Sequence, residues 1–105
     1  MKTINVKELK DKILKEDNFI LLDVRTEHEV FISKIDKSIH IPMNDIPLRI
    51  NELDKKKEII VQCKSGKRSA RVCEFLENNN FKNVKNLTGG ILAWVKEIDP
   101  SIIVL

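Results

Sequence analysis

The sequence predicts an α/β fold: one domain over residues 1–105, with a mainly parallel sheet of about five strands and helices on both faces. Two observations carry this. Phe19-Ile20-Leu21-Leu22-Asp23-Val24 and Glu58-Ile59-Ile60-Val61-Gln62 are nearly unbroken apolar runs. They are too short for helices and suit strands buried on both faces, as parallel sheets require. Segments with helical spacing alternate with such runs, which implies helices layered on a sheet. The length of 105 residues suits one small domain with one modest core.

The elements follow in order. Asn5 is placed to cap a helix, with Glu8 reaching back in a capping box and Val6, Leu9, Ile13 and Leu14 as its apolar stripe, ending near Lys15 or Glu16. The strand over 19–24 comes next. Thr26 then caps a short helix reaching Ile32, with Glu29 at its third position. Ser38 to Ile41 alternates and stops at Pro42, as a short strand does. Asp45 is expected to cap a helix through Leu53, with Ile46, Ile50 and Leu53 inward and Pro47 tolerated in the first turn. Lys55-Lys56-Lys57 is an exposed turn before the second strong strand. Ser69 to about Asn79 reads as a helix whose buried side carries Ser69, Val72, Cys73 and Leu76. Val84 to Leu87 is a further strand. Gly89-Gly90 turns the chain into a last helix, with Ile91, Leu92, Trp94, Val95 and Ile98, before Pro100.

Composition narrows the function classes. The chain is 42% hydrophobic and 33% charged, which fits an ordinary globular protein, and its scarce Gly and Pro argue against a disordered tail. The first residues lack the apolar stretch of a secretory signal, and no apolar run is long enough to span a bilayer. A cytoplasmic protein without membrane contact is therefore expected. A net charge of +3, with lysines and acids interleaved, argues against a dedicated nucleic-acid surface. Two cysteines, with no CxxC and no Cys/His cluster, point to neither a disulfide framework nor a structural metal site, and no cofactor is implied.

The chemistry concentrates in Cys63-Lys64-Ser65-Gly66-Lys67-Arg68. Cys63 follows directly on the carboxyl end of the expected central strand, which is where ligands bind in such sheets. A helix N-terminus beyond the loop presents free N–H groups, which lower a thiol pKa and favour the thiolate. Lys64, Lys67, Arg68 and Arg71 add positive charge with no acid between them up to Arg71. Gly66 permits a positive φ, so that successive N–H groups turn inward as an anion cradle. The hydroxyls of Ser65 and Ser69 reach the same site. An inert core thiol is the bland alternative for Cys63, and a polar, basic, glycine-containing loop speaks against it. Cys73 lies on an apolar stripe, so an inert buried thiol is its expected role. His28 and His40 are expected to be surface or structural residues, and Trp94 to be core. Asp23, an acid closing an apolar strand, needs a buried partner.

Three blocks in order resemble the rhodanese homology domain, the single-domain sulfurtransferase family, over nearly the whole chain. They are Leu21-Leu22-Asp23-Val24-Arg25 with Glu27 to Phe31, then Cys63-x-x-Gly66-x-Arg68-Ser69, then Leu87-Thr88-Gly89-Gly90 with Trp94. The resemblance implies that Cys63 accepts a sulfane sulfur as a persulfide and passes it on. It implies that backbone amides of residues 64 to 68 hold that sulfur, with Arg68 as the arginine of the catalytic loop and Lys64, Ser65, Gly66, Lys67, Arg68 and Ser69 around the substrate. Asp23, Arg25 and Glu29 would brace the fold, Arg25 pairing with Glu29 or a nearby acid. The expected partners are a small anionic sulfur donor such as thiosulfate, a thiol or cyanide acceptor, or a sulfur-relay protein, and the expected state is a monomer. One departure stands out. Where the family carries a Gly-His-Ile-Pro-Gly-Ala-like segment, this chain has Ser33-Lys34-Ile35-Asp36-Lys37-Ser38, with neither glycine and no histidine.

Two rival functions use the same loop or fold. A phosphatase or arsenate reductase with a Cys-x5-Arg cradle would place arginine at position 69, which is Ser69 here; the arginine comes one residue sooner. A non-catalytic interaction module would not need the cysteine and cradle that this chain retains. A protein-to-protein sulfur carrier lies between these and is not separated from a small-molecule sulfurtransferase by sequence.

Overall fold

Five parallel strands form one sheet in the order β1-β5-β4-β2-β3 in the computed structural model, which describes residues 1–105. The strands are β1 (Lys2–Ile4), β2 (Phe19–Asp23), β3 (Ile39–His40), β4 (Glu58–Gln62) and β5 (Val84–Leu87). The helices are α1 (Val6–Leu14), α2 (Glu27–Ile32), α3 (Ile46–Arg49), α4 (Lys67–Asn78) and α5 (Gly90–Glu97). The α/β expectation therefore holds.

Alternation along the central strands divides the core in two. Leu22, Ile59, Val61 and Val84 face a cluster with Ile46 of α3 and Val72, Cys73 and Leu76 of α4. Leu21, Ile60 and Leu87 face the other way, against Val6 and Leu9 of α1 and Ile91 and Trp94 of α5. Both faces are covered, which is why β2 and β4 read as continuous apolar runs. The two expected capping boxes are formed, by Asn5 with Glu8 and by Thr26 with Glu29. From β2 the chain crosses to β3 on one side, and from β4 it crosses to β5 on the other. Between β2 and β4 the connections diverge, and a crevice opens beyond their carboxyl ends.

Three expectations change. β1 was not legible as a strand; it is short, and only Ile4 in it is buried. Residues 43–52 do not form one capped helix. They fold as a 3-10 turn (Met43–Asp45), the single turn α3 and a second 3-10 turn (Ile50–Glu52), and the Asp45 side chain caps nothing. The inward set survives, because Ile46 and Leu53 are buried and Ile50 packs against them. α4 begins at Lys67, two residues before the expected Ser69, because Gly66 rather than a polar side chain stands at its N-cap.

Asp23 and Arg25 are both fully buried and pair with each other. Arg25 Nη2 donates to Asp23 Oδ2 at 2.9 Å and to the Ser33 carbonyl at 2.7 Å, and its backbone N–H donates to Asp23 Oδ1 at 3.0 Å. Of the two expected partners, Glu29 or a nearby acid, the structure uses the nearby acid, Asp23, two residues back and fully buried. Arg25 thereby ties the carboxyl end of β2 to the segment after α2. That segment turns through Lys37, at φ +69°, where the family's second glycine would stand. The turn is kept, but a lysine holds the left-handed conformation that glycine favours.

Two outcomes are expected from these placements. Arg25→Met leaves the Asp23 carboxylate buried and unpaired, and should cost about 3–5 kcal/mol of stability in urea unfolding. Lys37→Gly relieves left-handed strain at an exposed position and should raise the stability measured in urea unfolding by about 0.5–1 kcal/mol after the added freedom of the unfolded chain.

Candidate active site

Cys63 leaves the carboxyl end of β4 and its residue is only 1% exposed. The next three residues turn tightly, and Gly66 adopts φ +107° as the N-cap of α4. A Cβ on Gly66 would meet no atom closer than 3.7 Å, so the backbone angle rather than space requires glycine here. That angle aims the loop back over the thiol. Gly66 N–H donates to Cys63 Sγ at 3.1 Å, and Ser69 N–H, one of the free amides of the first turn of α4, lies 3.4 Å from the same sulfur. The Ser69 hydroxyl lies 3.3 Å from Sγ.

The loop is also held from behind. Ile91 N–H donates to the Cys63 carbonyl at 2.9 Å, and Leu92 N–H to the Lys64 carbonyl at 3.1 Å. These are free amides of α5, seated on the loop. A Cβ on Gly90 would lie within 2.5 Å of both carbonyl oxygens, so the close approach depends on its absence. The Gly89-Gly90 pair thus serves the cysteine loop as well as the turn into α5.

Electrostatics separates the two cysteines. Burial is the largest single influence on Cys63 and pushes its thiol upward. The Ser69 hydroxyl, which can donate once the sulfur is ionised, and the amides of Ser69, Gly66 and Ser65 together outweigh it, and the thiol lies below its ordinary value. Cys73, in the same core cluster, has only its own backbone amide as a weak donor; burial, with the nearby Glu77 and Cys63 charges, pushes it up to about 12. Neither cysteine is in a disulfide.

The basic residues divide. Arg68 binds Glu29 through two parallel bonds, Nη1 to Oε1 at 2.6 Å and Nη2 to Oε2 at 2.9 Å. The Arg68 guanidinium, with bonds from Thr26, overcomes burial and holds the Glu29 carboxyl down at about 2. Glu29 thus joins α2 to α4 and closes the capping box of α2 as well. Arg68 is positioned beside the sulfur and feels its charge, but no hydrogen bond joins the two. Lys67 and Arg71 are exposed and Lys64 is half-exposed; Lys64 and Lys67 stand on the loop, and Arg71 lines a separate groove with Met43, Ile46 and Phe75. Ser65 is exposed, and its backbone rather than its hydroxyl acts on Cys63. A small cleft of about 80 Å³ lies between the carboxyl end of β2 and Arg68, lined in part by Arg25, Thr26 and Pro42.

No histidine serves the thiol. His40 Nε2 contacts the Arg25 carbonyl at 2.7 Å, and His28 is exposed. The residue that sequence reasoning passed over is Asn86 of β5. It lies on the face of β5 shared with Val84, bonds Ser69 Oγ through Oδ1 at 2.5 Å, and donates from Nδ2 to the Gly66 carbonyl at 3.0 Å. The available signal was a polar side chain at an inward position of a buried strand.

A sequence profile of the rhodanese-like domain matches residues 5–97. The chain is 42% identical to a putative sulfurtransferase, YtwF, of Bacillus subtilis, over 95% of this chain and 96% of that protein. It is 32% identical to a sulfurtransferase of Allochromatium vinosum, over 94% and 92% of the two chains. The crystal structure of a rhodanese-like domain protein from Staphylococcus aureus superposes with a TM-score of 0.87 at 35% identity, covering 100% of this chain and 99% of that one. With strand order, loop and profile in agreement, this chain belongs to the rhodanese-like domain family.

Proposed function

We propose that this protein is a sulfurtransferase that carries a sulfane sulfur on Cys63. The single observation that carries this reading is the pair of backbone donors converging on one sulfur, Gly66 N–H at 3.1 Å and Ser69 N–H at 3.4 Å, with the Ser69 hydroxyl 3.3 Å away. Such donors favour the thiolate, which is the nucleophile. The thiolate attacks the outer sulfur of a donor such as thiosulfate. A Cys63 Sγ–S bond forms, the donor S–S bond breaks, and its electron pair leaves with sulfite. The terminal sulfur of the resulting persulfide carries the negative charge. An acceptor (cyanide, a thiol or a thiol of a partner protein) then attacks that sulfur, and the electron pair of the S–S bond returns to Cys63.

The inward amides stabilise sulfur-borne charge at each stage without a proton-transfer base. Lys64 and Lys67 on the loop favour an anionic donor by raising its local concentration. The geometry of Arg68 disfavours the phosphatase reading. In a phosphatase cradle, arginine and inward amides jointly hold a tetrahedral oxyanion. Here the guanidinium fork is engaged by Glu29, and the residue at position 69 is a serine whose amide is already directed at Sγ.

Incubation with thiosulfate should raise the protein mass by one sulfur atom, and cyanide should remove that atom as thiocyanate. Mass spectrometry on Cys63→Ser should show neither step, and on Cys73→Ser should show both nearly unchanged. Full sulfur loading of Cys63→Ser would refute the reading, and efficient hydrolysis of an aryl phosphate would restore the phosphatase.

A further inference from the structure

The Ser69 hydroxyl touches two groups but has only one hydrogen. Its oxygen lies 2.5 Å from Asn86 Oδ1 and 3.3 Å from Cys63 Sγ. The orientation of the Asn86 amide is settled by its other end. The Gly66 carbonyl can only accept, so Nδ2 faces it, at 3.0 Å, and Oδ1 faces Ser69. An amide oxygen can only accept too, so the short contact requires the Ser69 hydrogen to point at Asn86. Ser69 Oγ then offers Cys63 a lone pair, which suits a thiol S–H as donor and not a thiolate.

We propose that Asn86 is a positioning residue for the nucleophile: it holds the Ser69 hydroxyl hydrogen away from Cys63 in the resting thiol and releases it to the sulfur when Cys63 ionises. In the resting state the chain of donors runs from Cys63 S–H to Ser69 Oγ and from Ser69 O–H to Asn86 Oδ1. On ionisation the thiol proton leaves to solvent, and the hydroxyl turns through its Cβ–Oγ bond to donate to Sγ. Asn86 Oδ1 loses its donor in that step, so the amide opposes ionisation and the two backbone amides favour it. Asn86 is 9% exposed, too enclosed for water to replace the lost bond freely. Gly66 itself does not depend on Asn86, because Ala70 N–H also donates to the Gly66 carbonyl, at 3.2 Å. The cradle amides therefore outlast removal of the Asn86 side chain.

The other charged groups around Cys63 are paired with one another or stand on the loop. On α4, Arg68 is paired with Glu29 of α2, whose carboxyl remains ionised down to about 2, and Cys73 stays protonated up to about 12. On β2, Asp23 is paired with Arg25. Lys64 and Lys67 are the other charged groups of the loop, and neither bonds the sulfur. Asn86 is neutral, and α5 meets the loop with backbone amides. A shift in the Cys63 titration on changing Asn86 therefore reports the hydroxyl.

The inference rests on Cys63 being the working nucleophile, but its test reads ionisation rather than sulfur transfer, so the two fail separately. The measurement is the pH profile of iodoacetamide alkylation of Cys63. Asn86→Leu should move its midpoint down by about 0.5–1 pH unit, the equivalent of one net hydrogen bond. In a Ser69→Ala background the same replacement should move nothing. No shift, an upward shift, or an equal shift without the hydroxyl would overturn the proposal. A readout on the unmutated protein covers the case in which Asn86→Leu does not fold. The Asn86 side-chain amide resonances should move with the Cys63 midpoint, and should stay still in Ser69→Ala. Resonances that ignore the titration, or that still follow it in Ser69→Ala, would overturn it equally.

Discussion

The left-handed turn at Gly66 is the constraint on which the site depends. Cys63 is enclosed between β4 and α4, and burial alone would keep its thiol protonated. The turn reverses that result by starting α4 so early that its first-turn amide at Ser69 and the Gly66 amide both face Sγ. A side chain at position 66 would have room but not the φ of +107°. The loop then has to be held in place. The amides of Ile91 and Leu92 do this from behind, an approach that only Gly90 permits. Two helix N-termini thus meet at one cysteine: α4 turns its amides to the sulfur, and α5 turns its amides to the carbonyls that flank it.

Two arginines frame this arrangement in different ways. Arg25 is buried, neutralises Asp23 and fastens the end of β2 to the Ser33 carbonyl. Arg68 is part-exposed and binds Glu29, which also caps α2. Each joins the end of an element to a neighbour that the chain reaches by a different route. The consequence for chemistry is that neither guanidinium bonds the sulfur. The charge on Cys63 is therefore balanced chiefly by neutral donors, with Arg68 acting through its field. The lysines of the loop stand further out, where they suit the capture of an anionic donor.

What the sequence disclosed follows from how local each signal is. The runs over 19–24 and 58–62 announced β2 and β4 because both faces of these strands are covered, and the capping boxes at Asn5 and Thr26 announced α1 and α2 within four residues. Cys63 was legible because strand end, glycine and cations fall within six residues. Non-local choices were hidden. β1 contains one buried residue and owes its existence to pairing with β5, at the other end of the chain. The residues 43–52 carry the right inward side chains but break into short turns. Sequence left Arg25 a choice between Glu29 and a nearby acid; Asp23 takes Arg25, and folding brings Glu29 to Arg68, 39 residues away. Asn86 looked like one more strand residue, and only the packing of β5 under α4 sets it against Ser69.

The folded loop, without a base, makes Cys63 easier to ionise than an unconstrained cysteine. The direct measurement is the ultraviolet absorbance of the thiolate against pH, on the Cys73→Ser protein, folded and again in concentrated urea. The native midpoint should lie below the unfolded one, since the cradle donors act only in the folded chain. A native midpoint equal to the unfolded one, or above it, would mean that burial outweighs the amides, and would contradict the account.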